Sequence, residues 1–466
     1  MTDSHQLDKQ KELFGHPVGL YILFFTEMWE RFSYYGMRAI LVLYLVAETN
    51  GGNPGLGWTN AEALSVYGWY TMFVYVASIP GGWIADKFLG QKQSVLVGGI
   101  LLVAGHGVLS IEQMWAFYTG LGLIVAGVGM LKPNISTMVG GLYKAGDIRR
   151  DKGFTIFYIG INIGAFLSSI IVGYVGERYG WHYGFGLAAI GMALGLLQYV
   201  LGQKHLKYVG NNTNKSLDPE VKAAMKRPLN KIEKDRMIVL FISFLLVIVF
   251  WGAFEQAGGL MNIYASEKTN RMLMGWEVPA SWFQSLNALF IILFGTLVAG
   301  YWAKRKLKGK VSTSLFKMAF GLIIMGAGFF FMTGAAAQYQ IDGASAMYWL
   351  VLAYLLHTIG ELCLSPVALS YITKLAPLKY ASLMMGIYFA MTGFGNKVAG
   401  LLGESASDLG EYTVFTGIAV FCILFGVLVL VVRKKLEKLT HGAEDKEGNI
   451  LEQENYDLAN PEIQED

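Results

Sequence analysis

Charge is the scarcest resource in this chain. Only 15% of its 466 residues are Asp, Glu, Lys or Arg, against about 25% in soluble domains. That depletion argues against a protein folded in water. A net charge of +3 leaves no strongly basic surface for nucleic acid. Cysteine is almost absent: Cys363 and Cys422 both lie within apolar segments, so no disulfide framework is expected. The polar opening MTDSHQLDKQKELFGH lacks the short apolar core and cleavage site of a secretory signal. Neither a G-x-S-x-G elbow nor an H-E-x-x-H pair occurs, so an intramembrane hydrolase is not expected and the chain does not read as an enzyme.

What the chain has is apolar length. It is 54% hydrophobic, with a mean hydropathy of +0.43 and 57 glycines that let helices approach closely. Twelve apolar spans are expected, at about 17–46, 62–86, 93–111, 114–140, 153–176, 182–202, 237–263, 281–303, 314–336, 346–373, 380–402 and 412–432. Loops after even-numbered spans are basic: Lys87 and Lys92, then Lys144, Arg149, Arg150 and Lys152, then Lys304, Arg305, Lys306, Lys308 and Lys310, then Lys374 and Lys379. Loops after odd-numbered spans carry almost no Lys or Arg, except Arg178, Lys268 and Arg271. The positive-inside rule therefore places the even loops and both termini in the cytoplasm. On that orientation the sequons at Asn211 and Asn214 are not glycosylated.

The longest polar interval, 203–236, divides the spans six and six. The expected organisation is an N-terminal segment 1–16, a six-helix bundle 17–202, a cytoplasmic linker 203–236, a second six-helix bundle 237–433 and an acidic tail 434–466. EVKAAMKRPLNKIEKDR in the linker suits either a basic surface helix or a solvated tether, and the tail is expected to be disordered. Weak internal repetition supports the division: GGWIADKFLGQK (81–92) has a loose counterpart in AGYWAKRKLKGK (299–310). The first also resembles the G-x-x-x-D-[RK]-x-x-G-x-[RK] loop of the major facilitator superfamily.

Ionisable residues inside the spans are few, and each costs about 2.5–3.5 kcal/mol at a bilayer centre. They are Glu27, Glu30, Arg31 and Arg38 in the first span, Lys132 in the fourth, Glu255 in the seventh, and His357 and Glu361 in the tenth. These are the first and fourth helices of each half, where a site at a repeat interface is expected. Glu27, Glu30, Arg31, Tyr34 and Arg38 follow helical spacing along one face. Arg38 is positioned to pair with Glu255, and Lys132 with Glu361. Tyr158 and Asn162 share a face, as do His357, Glu361 and Ser365. Pro133 and Pro366 stand beside the charged positions of their helices, where a broken helix can open around a cavity. Plainer readings account for some charges: Glu30 and Arg31 can neutralise each other in packing, Lys397 can snorkel, and His106 suits a packing role. His357 and Glu361 alone make a poor metal site.

TEMWERFSYYG (26–36), GMLKPNIS (129–136), FYIGINIGAFLS (157–168), FWGAFEQAG (250–258), SWFQSLN (281–287) and GELCLSPVALS (360–370) together resemble the proton-dependent oligopeptide transporters, a branch of the major facilitator superfamily. The resemblance covers nearly all of the membrane portion. It implies an all-α fold of two six-helix bundles in the plasma (bacterial inner) membrane, importing di- and tripeptides with protons by alternating access. No metal or organic cofactor is implied; the coupling ion is the proton and the partners are small peptides and the bilayer. By the same resemblance Glu27, Glu30 and Arg31 form the proton-coupling cluster. Arg31, Tyr34 and Lys132 face the peptide carboxylate; Asn162, Asn287 and Glu361 hold its amino terminus. Tyr75, Tyr158, Trp251, Phe254, Gln256 and Ser365 line side-chain pockets. Arg38 with Glu255 forms an outer gate, and Lys132 with Glu361 a pair that peptide disrupts. Many bacterial members carry two further helices between the halves; the polar linker here cannot span, so twelve are expected. A symporter of the same superfamily for nitrate, an amino acid or a drug is the alternative. A lone anion needs no carboxylate partner, so Glu255 and Glu361 favour a zwitterion.

Overall fold

A computed structural model describes residues 10–144, 147, 149–207, 209–211, 228–377 and 380–444. The Asn214 sequon, most of the expected linker helix and the acidic stretch after 444 lie outside the described residues. Helices carry almost all of the structure: α1 (Val18–Val46), α2 (Asn60–Val76), α3 (Ser78–Ile84), α4 (Gln91–Leu109), α5 (Met114–Gly140), α6 (Arg149–Tyr179), α7 (Trp181–Gly202), α8 (Lys231–Phe254), α9 (Leu260–Glu267), α10 (Ser285–Leu307), α11 (Ser314–Asp342), α12 (Met347–Leu375), α13 (Ala381–Leu409) and α14 (Glu411–Lys438). Among the described residues the strands are three two-residue pairs: β1 (Glu12–Leu13) with β2 (His16–Pro17), β3 (Thr269–Asn270) with β6 (Ser345–Ala346), and β4 (Met272–Leu273) with β5 (Trp276–Glu277).

Among the described residues, nine helical segments are long and apolar enough to cross a membrane. The chain is an all-helical, multi-pass membrane protein. The 29-residue α1 is long enough but stands outside that set; its buried charges set it apart.

Local sequence fixes where helices start. Thr59 and Glu62 form a reciprocal capping box at α2, and Asn230 with Glu233 forms another at α8. The expected seventh span, 237–263, is not one continuous helix. α8 tightens into a 3₁₀ turn at Glu255–Ala257, and α9 begins at Leu260. The break falls at Gly258 and Gly259, and Gly258 leaves room there for Tyr67, whose hydroxyl oxygen a Cβ would strike. The turn displays Glu255 at the interruption.

Glycine also sets how closely helices pack. α4 and α5 meet through Gly98, Gly105, Gly120 and Gly127, where an added Cβ would come within 2.7–2.9 Å of the facing helix. α6 crosses α1 at Gly164, whose Cβ would sit 2.2 Å from the Met28 carbonyl oxygen. α2 meets α13 at Gly68 and Gly400. Gly127→Val is therefore expected to lower the thermal unfolding midpoint in detergent, by an amount corresponding to about 1–3 kcal/mol of overpacking. Gly122→Val on the same helix, where an added Cβ meets nothing within 4 Å, should leave the midpoint unchanged.

Candidate functional site

The stripe on α1 is buried throughout: Glu27, Glu30, Arg31, Tyr34 and Arg38 are each less than a tenth exposed. Helical spacing brings Arg31 beside both preceding carboxylates. Its Nη2 and Nε donate to Glu27 Oε1 at 2.6 and 2.8 Å, and Nε lies 3.2 Å from Glu30 Oε2. One guanidinium thus serves two carboxylates, and the load is unequal. Neither Glu30 oxygen has a hydrogen-bond partner, whereas Glu27 leaves only Oε2 without one. Tyr35 stands between the two arginines of the stripe, its ring centre 5.9 Å from Arg31 Cζ and 4.9 Å from Arg38 Cζ.

Arg38 reaches across to the second half of the chain. Its Nη1 donates to both oxygens of Glu255 at 2.9 and 3.1 Å, and Nη2 donates to Gln284 Oε1 at 3.3 Å. The Tyr67 hydroxyl donates to Glu255 in a short bond. Asn262 and Gln284 both donate to the Ala39 carbonyl. Around this pair the halves are tightly joined.

A second polar group sits on α10 and α12. Asn287 donates to Glu361 Oε2 at 2.7 Å and to Thr358 Oγ1 at 3.2 Å. Lys132 on α5 lies with its Nζ 3.8 Å from the Tyr75 ring centre and 5.8 Å from that of Phe389. The expected Lys132–Glu361 pair is not formed in this conformation: the ammonium rests against aromatic faces while Glu361 is held by an amide.

Other expected residues fall into two sets. Trp251 and Phe254 pack edge to face, with ring centroids 5.1 Å apart; Tyr158 is exposed, and Ser365 Oγ has no partner. By contrast, Asn162 donates to the Tyr158 carbonyl of its own helix. Gln256 is buried, donating to the backbone carbonyl of Ala399 on α13 at 2.9 Å. His106 is buried with neither ring nitrogen bonded, and His357 packs on Phe329. Among the described residues, no group of three or more His, Cys, Asp or Glu side chains could hold a metal ion, and both cysteines are free and buried.

Sequence reasoning missed Tyr67, Gln284, Phe389 and Glu177. Glu177, at the end of α6, accepts from the Ala280 and Ser281 amides at 2.9 and 2.8 Å and from the Ser281 hydroxyl at 2.5 Å. A carboxylate of the first half therefore caps a helical turn of the second. The signal available was the set of cations that broke the loop-charge pattern. Each has an acidic partner: Arg178 with Glu277 at 3.3 Å, Arg271 with Glu277 at 2.8 Å, and Lys268 with Glu411 at 2.5 Å.

The sequence profile of the POT family matches residues 92–225 and 213–414. The chain is similar to an uncharacterized transporter, YclF, of Bacillus subtilis (strain 168), with 37% identity over 93% of this chain and 97% of that one. It is similar to a di-/tripeptide transporter of Lactococcus lactis subsp. cremoris, with 34% identity over 92% and 98%. Among solved structures it resembles a POT family transporter in complex with a thioalcohol conjugated peptide, with a TM-score of 0.85 and 32% identity over 92% of this chain and 99% of that one.

A cycle on the Arg38–Glu255 pair tests its coupling. Arg38→Leu and Glu255→Leu are each expected to cost about 3–5 kcal/mol by stranding a buried charge. The double variant should lose less than the sum of the two, read from unfolding midpoints in detergent. Additive losses would show that the two side chains do not act as a pair.

Proposed function

Because the chain belongs to the POT family, we propose that it is a proton-coupled symporter, importing di- and tripeptides across the bacterial plasma membrane by alternating access. It works without a metal or organic cofactor. The observation that carries this reading is the separation of charge by half: Arg31 and Lys132 belong to helices before the linker, Glu361 and Asn287 to helices after it. A small peptide is a zwitterion whose ends lie a limited distance apart. Opposite charge on facing halves reads both ends and leaves the side chains loosely specified. The alternative cargo, a lone anion, would have no use for Glu361.

The topology we infer has twelve spans in two six-helix bundles, 17–202 and 237–433, joined by the cytoplasmic linker 203–236, with the segment 1–16 and tail 434–466 also cytoplasmic. The distribution of Lys and Arg among the loops supports it. On this topology Arg38, Glu255 and Glu177 lie toward the outside, and the bonds joining the halves around them support an outer gate closed in this conformation.

The coupling step turns on Arg31. With Glu27 and Glu30 both ionised, the guanidinium is shared between them and is a weak partner for a third carboxylate. A proton on one carboxylate removes a competitor, and Arg31 then turns toward the peptide carboxylate beside Tyr34. Glu30 is the better placed to take the proton, since Arg31 neutralises it without hydrogen-bonding it. The peptide amino group is received by Glu361 and Asn287, with Asn162 as a further contact. Lys132 leaves its aromatic rest position either for the peptide carboxylate or, in the empty carrier, for Glu361. Tyr75, Tyr158, Trp251, Phe254, Gln256 and Ser365 border the peptide side chains; of these Gln256 acts through the α13 backbone.

Reconstituted protein should accumulate a labelled dipeptide above equilibrium under an inward proton gradient. Glu30→Gln should abolish that accumulation while leaving exchange of peptide across the membrane measurable. Uphill uptake at the wild-type rate in Glu30→Gln would overturn the coupling role, and absence of accumulation in the wild type would overturn the symporter itself.

A further inference from the structure

The hairpin between α9 and α10 carries an exposed apolar tip that the transport site does not use. β4 and β5 pair antiparallel, Met272 opposite Glu277 and Leu273 opposite Trp276. Met274 and Gly275 make the turn, with φ of 51° and 83°. Met272, Leu273, Met274 and Trp276 are 54%, 53%, 101% and 41% exposed. Four large apolar side chains thus crowd five residues, with no charge among them. The charges are confined to the base, where Arg271 and Glu277 form an ion pair at 2.8 Å. Such a tip is costly in water and well suited to an interface.

The position of the tip is an independent observation. The rings of Trp276 and Trp282 are 5.2 Å apart, Trp282 lies 6.4 Å from Tyr174, and Tyr174 lies 5.9 Å from Tyr179. Trp282 also donates to the Ile170 carbonyl at 3.0 Å. α6 ends at Tyr179, so Tyr174 and Ile170 lie roughly 7 and 13 Å inside its end at the helical rise per residue. The hairpin's base therefore stands at the last turn of α6, beside Glu177 and Arg178, and its Trp276 ring packs on Trp282, which reaches down that helix. Its aromatics run on through Trp282 and Tyr174 to exposed Tyr179, an aromatic cluster of the kind that marks a membrane–water boundary.

We infer that the Met272–Trp276 tip is seated in the boundary between phospholipid headgroups and acyl chains, as a lipid anchor of the α9–α10 connection. The anchor has a mechanical neighbour. Arg271 and Glu277 at its base face Glu177 at 4.0 Å and Arg178 at 3.3 Å respectively, so the arm resting on lipid is joined to the contacts that hold the halves together. The inference depends on the chain crossing a bilayer and not on what it transports.

Nitroxide depth measurement tests it. Cys363 and Cys422 are buried, so Met274→Cys can be labelled in the otherwise unchanged chain, with the unsubstituted chain giving the background. In phospholipid vesicles, relaxation by oxygen and by a water-soluble nickel chelate is compared with two references: Leu297→Cys on the outward face of α10 and Asp342→Cys at the exposed end of α11. The label at 274 is expected on the Leu297 side of the midpoint between the references, favouring oxygen. A ratio on the Asp342 side would put the tip in water and overturn the inference. A label shielded from both reagents would put it against a second copy of the chain and overturn it equally.

Discussion

A cation buried between two carboxylates is the constraint from which this structure follows. Removing Arg31 from water is expensive, and Glu27 at 2.6 Å offsets that cost while Glu30 at 3.2 Å shares it. The rest of the protein keeps that triad away from lipid. α6 comes close enough at Gly164 to touch the α1 backbone at Met28 and the Arg31 Cβ, so a neighbouring helix packs directly against the triad. In the proposed coupling step a single proton on one carboxylate, or a single competing carboxylate, changes how Arg31 is shared, with no large local rearrangement.

The same rule organises the other buried charges. Glu255 is held by Arg38 and the Tyr67 hydroxyl, Glu361 by Asn287, and Lys132 by the faces of Tyr75 and Phe389. The first of these is an ion pair in which one guanidinium nitrogen bonds both carboxylate oxygens, and it joins the halves. The other two use neutral partners, which hold a charge more loosely than an opposite charge does. The proposed mechanism has Glu361 and Lys132 exchange these looser partners for a ligand, and Arg38 with Glu255 stay closed until then.

Much of this was legible in the sequence, for a physical reason. An ionised side chain in an apolar segment is conspicuous, and the helical period fixes its face; the α1 stripe and the Arg38–Glu255 pairing both came from that alone. Neutral partners were hidden. Tyr67, Phe389 and Gln284 are ordinary residues in a chain that is 14% aromatic, and their roles depend on which helices cross at which height. The need for glycine at 258 was hidden for the same reason, since it depends on Tyr67 arriving from another helix. Glu177 lay beyond the end expected for its span, at 176, and so was not weighed among the buried charges.

The central claim is that one occupancy of Arg31 carries peptide and proton together. The most direct measurement is the internal pH of proteoliposomes, followed with a trapped dye, when dipeptide is added outside with no pH gradient imposed. The account predicts that the lumen acidifies as the peptide enters, and that an N-acetylated dipeptide, lacking the cation for Glu361, produces a much smaller change. Peptide entering with no change in internal pH would contradict it.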